Sequence, residues 1–125
     1  MPNRLTSRQR IGNIAELAVV QHLQSLGWQV VARNLRMGPY ELDVVARDGS
    51  TLVVVEVRYR GHGALTTGFG SLSPTKRMRV RRAGERLWHK HYRNDETVHR
   101  MRFDAASVHF DSGGRAVIEY AMAAF

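Results

Sequence analysis

The residues best placed to do chemistry sit in a stretch that otherwise reads as core. Leu52-Val53-Val54-Val55-Glu56-Val57-Arg58-Tyr59-Arg60 is apolar enough for a central strand buried on both faces. Glu56 and Arg58 interrupt it two residues apart, so they project from one face. An earlier strand-like stretch, Glu41 to Arg47, carries Glu41 and Asp43 with the same spacing. Asp48-Gly49 between the two stretches is a hairpin signal. If Asp48-Gly49 is the two-residue loop, Arg47 pairs with Ser50 and Glu41 lies opposite Glu56. A four-residue loop keeps the parity and sets Asp43 opposite Glu56. Either way Glu41, Asp43, Glu56 and Arg58 share a face; a three-residue loop would separate Asp43 from Glu56. Crowded carboxylates repel, and a buried unpaired charge is expensive, so something must compensate. A magnesium or manganese ion would do so, taking carboxylate oxygens and leaving positions for water and phosphate. An internal salt bridge from Arg58 to Glu56 or Asp43 would serve as well, and both readings stand on two strands alone.

These strands need elements around them. The spacing predicts a first helix over Asn13 to Leu26, with a buried stripe of Ile14, Ala15, Ala18, Val19, Leu23 and Leu26, stopped by Gly27. Glu16 precedes Val19, Val20 and Leu23 by three, four and seven residues, which puts a third carboxylate beside the apolar side. It also completes a capping box with Asn13, and only geometry separates the two roles. Trp28 to Arg33 reads as a strand before the hairpin. Gly61 to Leu72 is glycine-rich and reads as a mobile loop; it has no Gly-Lys-Ser/Thr and is not a phosphate-binding P-loop. Ser73-Pro74 starts a second helix, serine as N-cap and proline at the first position. Its buried stripe is Val80, Ala83, Gly84, Leu87 and Trp88, and it ends near Tyr92. Met101 to Phe110 and Ala116 to Tyr120 read as two more strands. The order α-β-β-β-α-β-β implies an α/β or α+β domain with a central mixed sheet flanked by helices.

Charge adds a partner class. The chain of 125 residues has 19 Lys+Arg against 11 Asp+Glu, a net charge of +8, and 17 of the 19 cations are arginine. Residues 1–10 form a basic N-terminal arm. Residues 76–93 hold Lys76, Arg77, Arg79, Arg81, Arg82 and Arg86, then Lys90 and Arg93, against Glu85 alone. Such clusters suit phosphate backbones, because neutralising phosphates releases counterions, although many basic helices are only solvated faces. An anionic membrane surface fits less well, because no bulky apolar stripe backs the charges.

Composition excludes much else. Hydrophobic residues at 43% and charged residues at 24% are globular usage, and the length implies a single domain over residues 1–125. There is no cysteine, which excludes a disulfide scaffold, a thiolate zinc site and cysteine catalysis. His89 and His91 are two apart on a helix and face different sides, and the other histidines show no ligand spacing. No apolar run is long enough for a bilayer span, and the N-terminus does not read as a signal peptide. A cytoplasmic protein is expected.

One further reading comes from the ordered series of short motifs. Gly12-x-x-x-Glu16, Ala32-Arg33-Asn34, Glu41-Leu42-Asp43, Val55-Glu56-Val57-Arg58, Phe69-Gly70, Lys76 and Arg102-Phe103-Asp104 occur in this order over nearly the whole chain. Together they resemble the YraN family of small bacterial proteins, which is similar to archaeal Holliday junction resolvases and to nucleases of the PD-(D/E)XK type. The resemblance implies a restriction-endonuclease-like αβββαβ core and a Mg²⁺- or Mn²⁺-dependent phosphodiesterase acting on structured or branched DNA. It makes Glu16 the helix acid, Asp43 and Glu56 the metal-binding carboxylates, and Arg58 the occupant of the motif's lysine position. It gives the basic face of the second helix, Lys76 to Arg86, to nucleic acid. A homodimer is expected by analogy with the resolvases. Two departures stand out. Arginine stays charged and cannot act as a base, so Arg58 would clamp phosphate oxygens, or mark a binding module that no longer cleaves. Lys76 is then either a substitute amine from the second helix or a phosphate contact. Pro39-Tyr40 also precedes Glu41 where the family carries glycine, so Tyr40 narrows the site or stacks on a base.

Overall fold

The computed structural model describes residues 5–60 and 72–125. Its helix α1 (Ser7–Ser25) starts earlier than the apolar spacing implies. Thr6 is the N-cap: its hydroxyl accepts the Gln9 N–H at 3.1 Å, and the Gln9 side chain accepts the Thr6 N–H at 2.8 Å. The capping box is therefore Thr6/Gln9, not Asn13/Glu16, and Glu16 is released from capping. It follows that Ser7 to Arg10 of the expected basic arm are helical, and residues 1–4 lie outside the described residues. The buried face of α1 is Ala15, Val19, Val20 and Leu23. Ile14 and Leu26, expected inside, are exposed, because the helix packs on a sheet through a narrower stripe than the sequence pattern offers.

Three antiparallel strands follow: β1 (Gln29–Met37), β2 (Tyr40–Asp48) and β3 (Thr51–Tyr59). Helix α2 (Pro74–Leu87) crosses to β4 (Arg100–Phe110), which lies parallel to β3, and β5 (Ala116–Ala121) pairs antiparallel with β4. The result is a mixed five-stranded sheet in the order β1-β2-β3-β4-β5. It is an α/β arrangement compatible with the expected restriction-endonuclease-like core. The α2 signals hold: Ser73 accepts the Lys76 N–H at 3.1 Å, and the last turn widens into a π-helical turn over Trp88–Tyr92. The glycine-rich stretch from residue 61 to residue 71 lies outside the described residues.

The central strand is buried on both faces, as its composition requires. Val53 and Val55 pack with α1, Val44, Ala106 and Val108. Leu52 and Val54 pack with Val80, Ala83 and Leu87 of α2 on the other face. Each helix covers one side of the sheet, and β3, the middle strand, receives both. Trp88 and Tyr92 pack against the α2-side core. Among the described residues, no helix is long and apolar enough to cross a membrane.

Candidate functional site

The hairpin turn decides the register. Asp48 pairs with Thr51 and Val44 with Val55, so the two-residue loop is Gly49-Ser50 rather than Asp48-Gly49. Gly49 takes φ +59° at the first loop position, where a type II′ turn needs positive φ. Continuing this register sets Asp43 opposite Glu56, the arrangement of the longer-loop alternative. The regular ladder ends at Val44/Val55. Beyond it the Asp43 Oδ2 accepts the Val57 backbone N–H at 2.9 Å, so a carboxylate takes the place of a strand carbonyl. The local path of β2 changes at the same point: Val44 belongs to the α1-side core, whereas Leu42, two residues back, belongs to the α2-side core.

Glu56 is 2% exposed. Its Oε1 lies 3.3 Å from the Lys76 Nζ on the first turn of α2. Burial first, then the charge of Asp43, pushes the Glu56 carboxyl up to about 8; Lys76 pulls the other way, and a hydrogen bond with Asp43 favours the protonated form. Glu16 approaches Asp43 from α1. Its carboxyl is also raised, by burial first and by Asp43 second. Arg33 Nη2 stands 3.6 Å from Glu16 Oε1, and the nearby Asn34 side chain pulls the carboxyl the other way, towards its charged form. Asn34 has φ +49°, a left-handed conformation that asparagine tolerates better than most residues. Asp43 is thus the common neighbour of two carboxylates whose charged forms it disfavours.

Glu41, Asp43, Lys76 and Arg79 line one cleft of about 230 Å³ with Pro39 and Tyr40. Arg58 lines a different one, beside Arg8, Ile11 and Gly12 of α1 and next to Tyr59. The strand therefore delivers Glu56 to Lys76, while the Arg58 side chain reaches the neighbouring cleft. The basic cluster of α2 also divides. Lys76 and Arg79 belong to the carboxylate cleft. Arg82 and Arg86 line a further cleft of about 610 Å³, and Arg81 lies over the Phe103 ring at 5.1 Å. Arg77 is exposed. Tyr40 is held under the Arg86 guanidinium, 5.8 Å from ring centre to Cζ.

Among the described residues, no three His, Cys, Asp or Glu side chains are grouped so as to hold a metal ion. What remains is a pair of hard oxygen ligands, Asp43 and Glu56, on adjacent strands, their mutual repulsion only partly offset by Lys76. That fits Mg²⁺ or Mn²⁺, since Mg²⁺ is usually held by one or two carboxylates, with water and substrate phosphate filling the other positions. Residue spacing missed two partnerships. Arg33 pairs with Glu16, and its only signal is the Ala32-Arg33-Asn34 element of the family resemblance. The Val57 amide holds Asp43, and no side-chain pattern encodes it.

A family model described as uncharacterised protein family UPF0102 matches residues 15–108, a span that includes Glu16, Asp43, Glu56 and the whole of α2. The chain is similar to the UPF0102 protein sce2912 of Sorangium cellulosum, 50% identical over 119 residues that cover 95% of this chain and 83% of the relative. It is 36% identical to a UPF0102 protein of Acidothermus cellulolyticus over the full length of both. It is 33% identical to the UPF0102 protein Franean1_1156 of Parafrankia over 94% of this chain and 97% of the relative.

Proposed function

The chain belongs to the uncharacterised family UPF0102, the YraN family its motifs resemble, and on that premise we propose that it is a metal-dependent endonuclease acting on structured or branched DNA. The observation that carries the reading is that Asp43 and Lys76 line one cleft and Glu56 lies buried against that Lys76, its carboxyl pushed up to about 8 by burial and by Asp43. A buried carboxylate facing another is unfavourable for folding alone, and groups perturbed in this way cluster at functional sites.

Asp43 and Glu56 would hold Mg²⁺ or Mn²⁺. Bound there, the ion supplies an activated water near neutral pH and charge stabilisation at phosphorus. The rest is done by the chain. The Val57 amide fixes the Asp43 carboxylate, so one ligand is oriented before any substrate arrives. Lys76 stands on Glu56, where an ammonium both lowers the carboxylate's tendency to hold a proton and faces an incoming phosphate oxygen. It is the amine this cleft contains, in a chain with arginine at the motif's lysine position. Glu16, 3.6 Å from Arg33, adds a further carboxyl whose charged form Asp43 disfavours. Arg79 extends the positive wall of the cleft. Lys76, Arg77 and Arg79 lie at the start of α2, where no acid offsets the helix dipole; a phosphate there would relieve both charges.

The test is cleavage of labelled linear, single-stranded, flap and four-way DNA in Mn²⁺, beside Asp43→Ala. Cleavage by the parent chain that falls at least about 100-fold in the variant supports the reading. Equal cleavage by both proteins overturns it. Arg58 carries the second reading, a binding module of the same fold, and binding without cleavage by either protein would establish that one.

A further inference from the structure

Two clefts are lined by successive turns of α2 and its π-helical end. Lys76 and Arg79 wall the first, with the β1–β2 turn at Pro39 and Tyr40 opposite. Arg82, Arg86 and Lys90 wall the second, with Met37 and Gly38 of the same turn opposite; Glu85 and His89 also line it. The cations recur at intervals of three or four residues, so they form one stripe along the helix. At 1.5 Å per residue, Lys76 to Lys90 spans roughly 20 Å, about six base-pair steps of a duplex. The turn is shaped around one of these cations. Gly38 has φ +62°, and a Cβ there would collide with the Arg86 guanidinium, which also lies over the Tyr40 ring. An arginine seated between a glycine and an aromatic face is held in place, unlike a side chain loose in solvent.

We propose that the groove between α2 and the β1–β2 turn is a phosphate track that leads one nucleic-acid strand away from the carboxylate cleft, with Arg82, Arg86 and Lys90 as its distal backbone contacts. The inference rests on the nuclease reading of the Asp43/Glu56 cleft and adds a direction and a footprint to it. Arg81 takes no part: it is turned to Phe103. Net charge in the distal cleft is positive because three cations face Glu85 alone, and phosphodiesters are the polyanion whose repeat a linear stripe of cations follows.

The experiment measures binding of the full chain to a labelled duplex of about twenty base pairs in EDTA as salt is varied. The variant Arg82→Gln/Lys90→Gln removes two track cations and leaves Arg86 and the carboxylates in place. Arg100→Gln/Arg115→Gln removes the same charge from exposed positions on β4 and in the loop before β5. The slope of log affinity against log salt should fall by about two in the track variant and stay near the parent value in the control. Gly38→Ala keeps every charge and should weaken binding severalfold by unseating Arg86. Equal falls in track and control variants, or no fall in the track variant, overturn the track while leaving the nuclease site standing. No duplex binding by the parent chain at low salt overturns both.

Discussion

Two carboxylates, one on β3 and one on the adjacent β4, are buried to nearly the same degree and treated in opposite ways. Asp104 is fully buried, and four donors meet it: Arg102 Nε and Nη2 at 2.8 and 3.0 Å, the Tyr120 hydroxyl at 2.6 Å and the Ala123 N–H at 2.9 Å. The Arg102 guanidinium lies in turn over the Trp28 ring. Glu56 is 2% exposed, and the cation against it is a half-exposed lysine at 3.3 Å, opposed by the like charge of Asp43. A carboxylate that serves the fold has its charge matched by fixed donors. One left short of donors beside another acid is pushed towards its protonated form, as Glu56 is, up to about 8. The titration of their neighbours follows: burial first, then the bond to Asp104, raises the Tyr120 hydroxyl and so keeps it a donor.

The sharpest way to break this comparison is to delete each acid in turn. Asp104→Ala strands Arg102 and the Tyr120 hydroxyl and should cost about 3–5 kcal/mol in urea unfolding; a loss under about 1 kcal/mol would mean the cluster is not structural. Glu56→Gln should do the reverse. The folded carboxyl titrates near 8 against 4.5 for the ordinary group. The parent chain's stability from this group is therefore whole below about pH 4.5 and is lost as pH rises through 8. Above pH 8 the variant should be the more stable, by an amount on the order of a few kcal/mol, less where Asp43 and Glu56 titrate as one pair. Stability curves of the two proteins that run parallel from pH 5 to 9 would remove the argument.

Smaller effects sharpen it. Saturating Mn²⁺ at about 100 times its Kd should stabilise the parent by about 2.7 kcal/mol, with no shift in Asp43→Asn, as read by thermal unfolding. A shift of equal size in both proteins would place the ion elsewhere. Arg33→Gln loosens Glu16 and should cost under about 1 kcal/mol, since that arginine is one-third exposed; its clearer signature is weaker Mn²⁺ stabilisation. Thr6→Ala removes the observed cap of α1 and should cost about 1 kcal/mol, whereas Asn13→Ala should cost little.

Much of this frame was legible before any coordinates. Ser73-Pro74 announced α2, because a cap is a contract between residues three apart. Strand parity placed Glu56 and Asp43 on neighbouring strands of one hairpin, because side chains alternate with a fixed period. The start of α1 was misplaced, since two sequences, Thr6-x-x-Gln9 and Asn13-x-x-Glu16, could each close a box, and the longer helix retains more hydrogen bonds. The exact turn slipped by one residue for a related reason: Asp48-Gly49 and Gly49-Ser50 both satisfy local turn chemistry, and the choice lies with pairing across the whole hairpin.

What the amino-acid sequence determined alone, then, is the set of elements, their order, the doubly buried middle strand and the acids embedded in it. Each of these depends on residues within a turn or two of one another. The tertiary structure decided which acids meet which cations. Lys76 of α2 reaches Glu56 of β3, Arg33 reaches back to Glu16 of α1, and Arg58 lines a different cleft although it stands two residues from Glu56. Those meetings depend on sheet twist and on how each helix docks, and both are set by packing of the entire core rather than by any local run of residues.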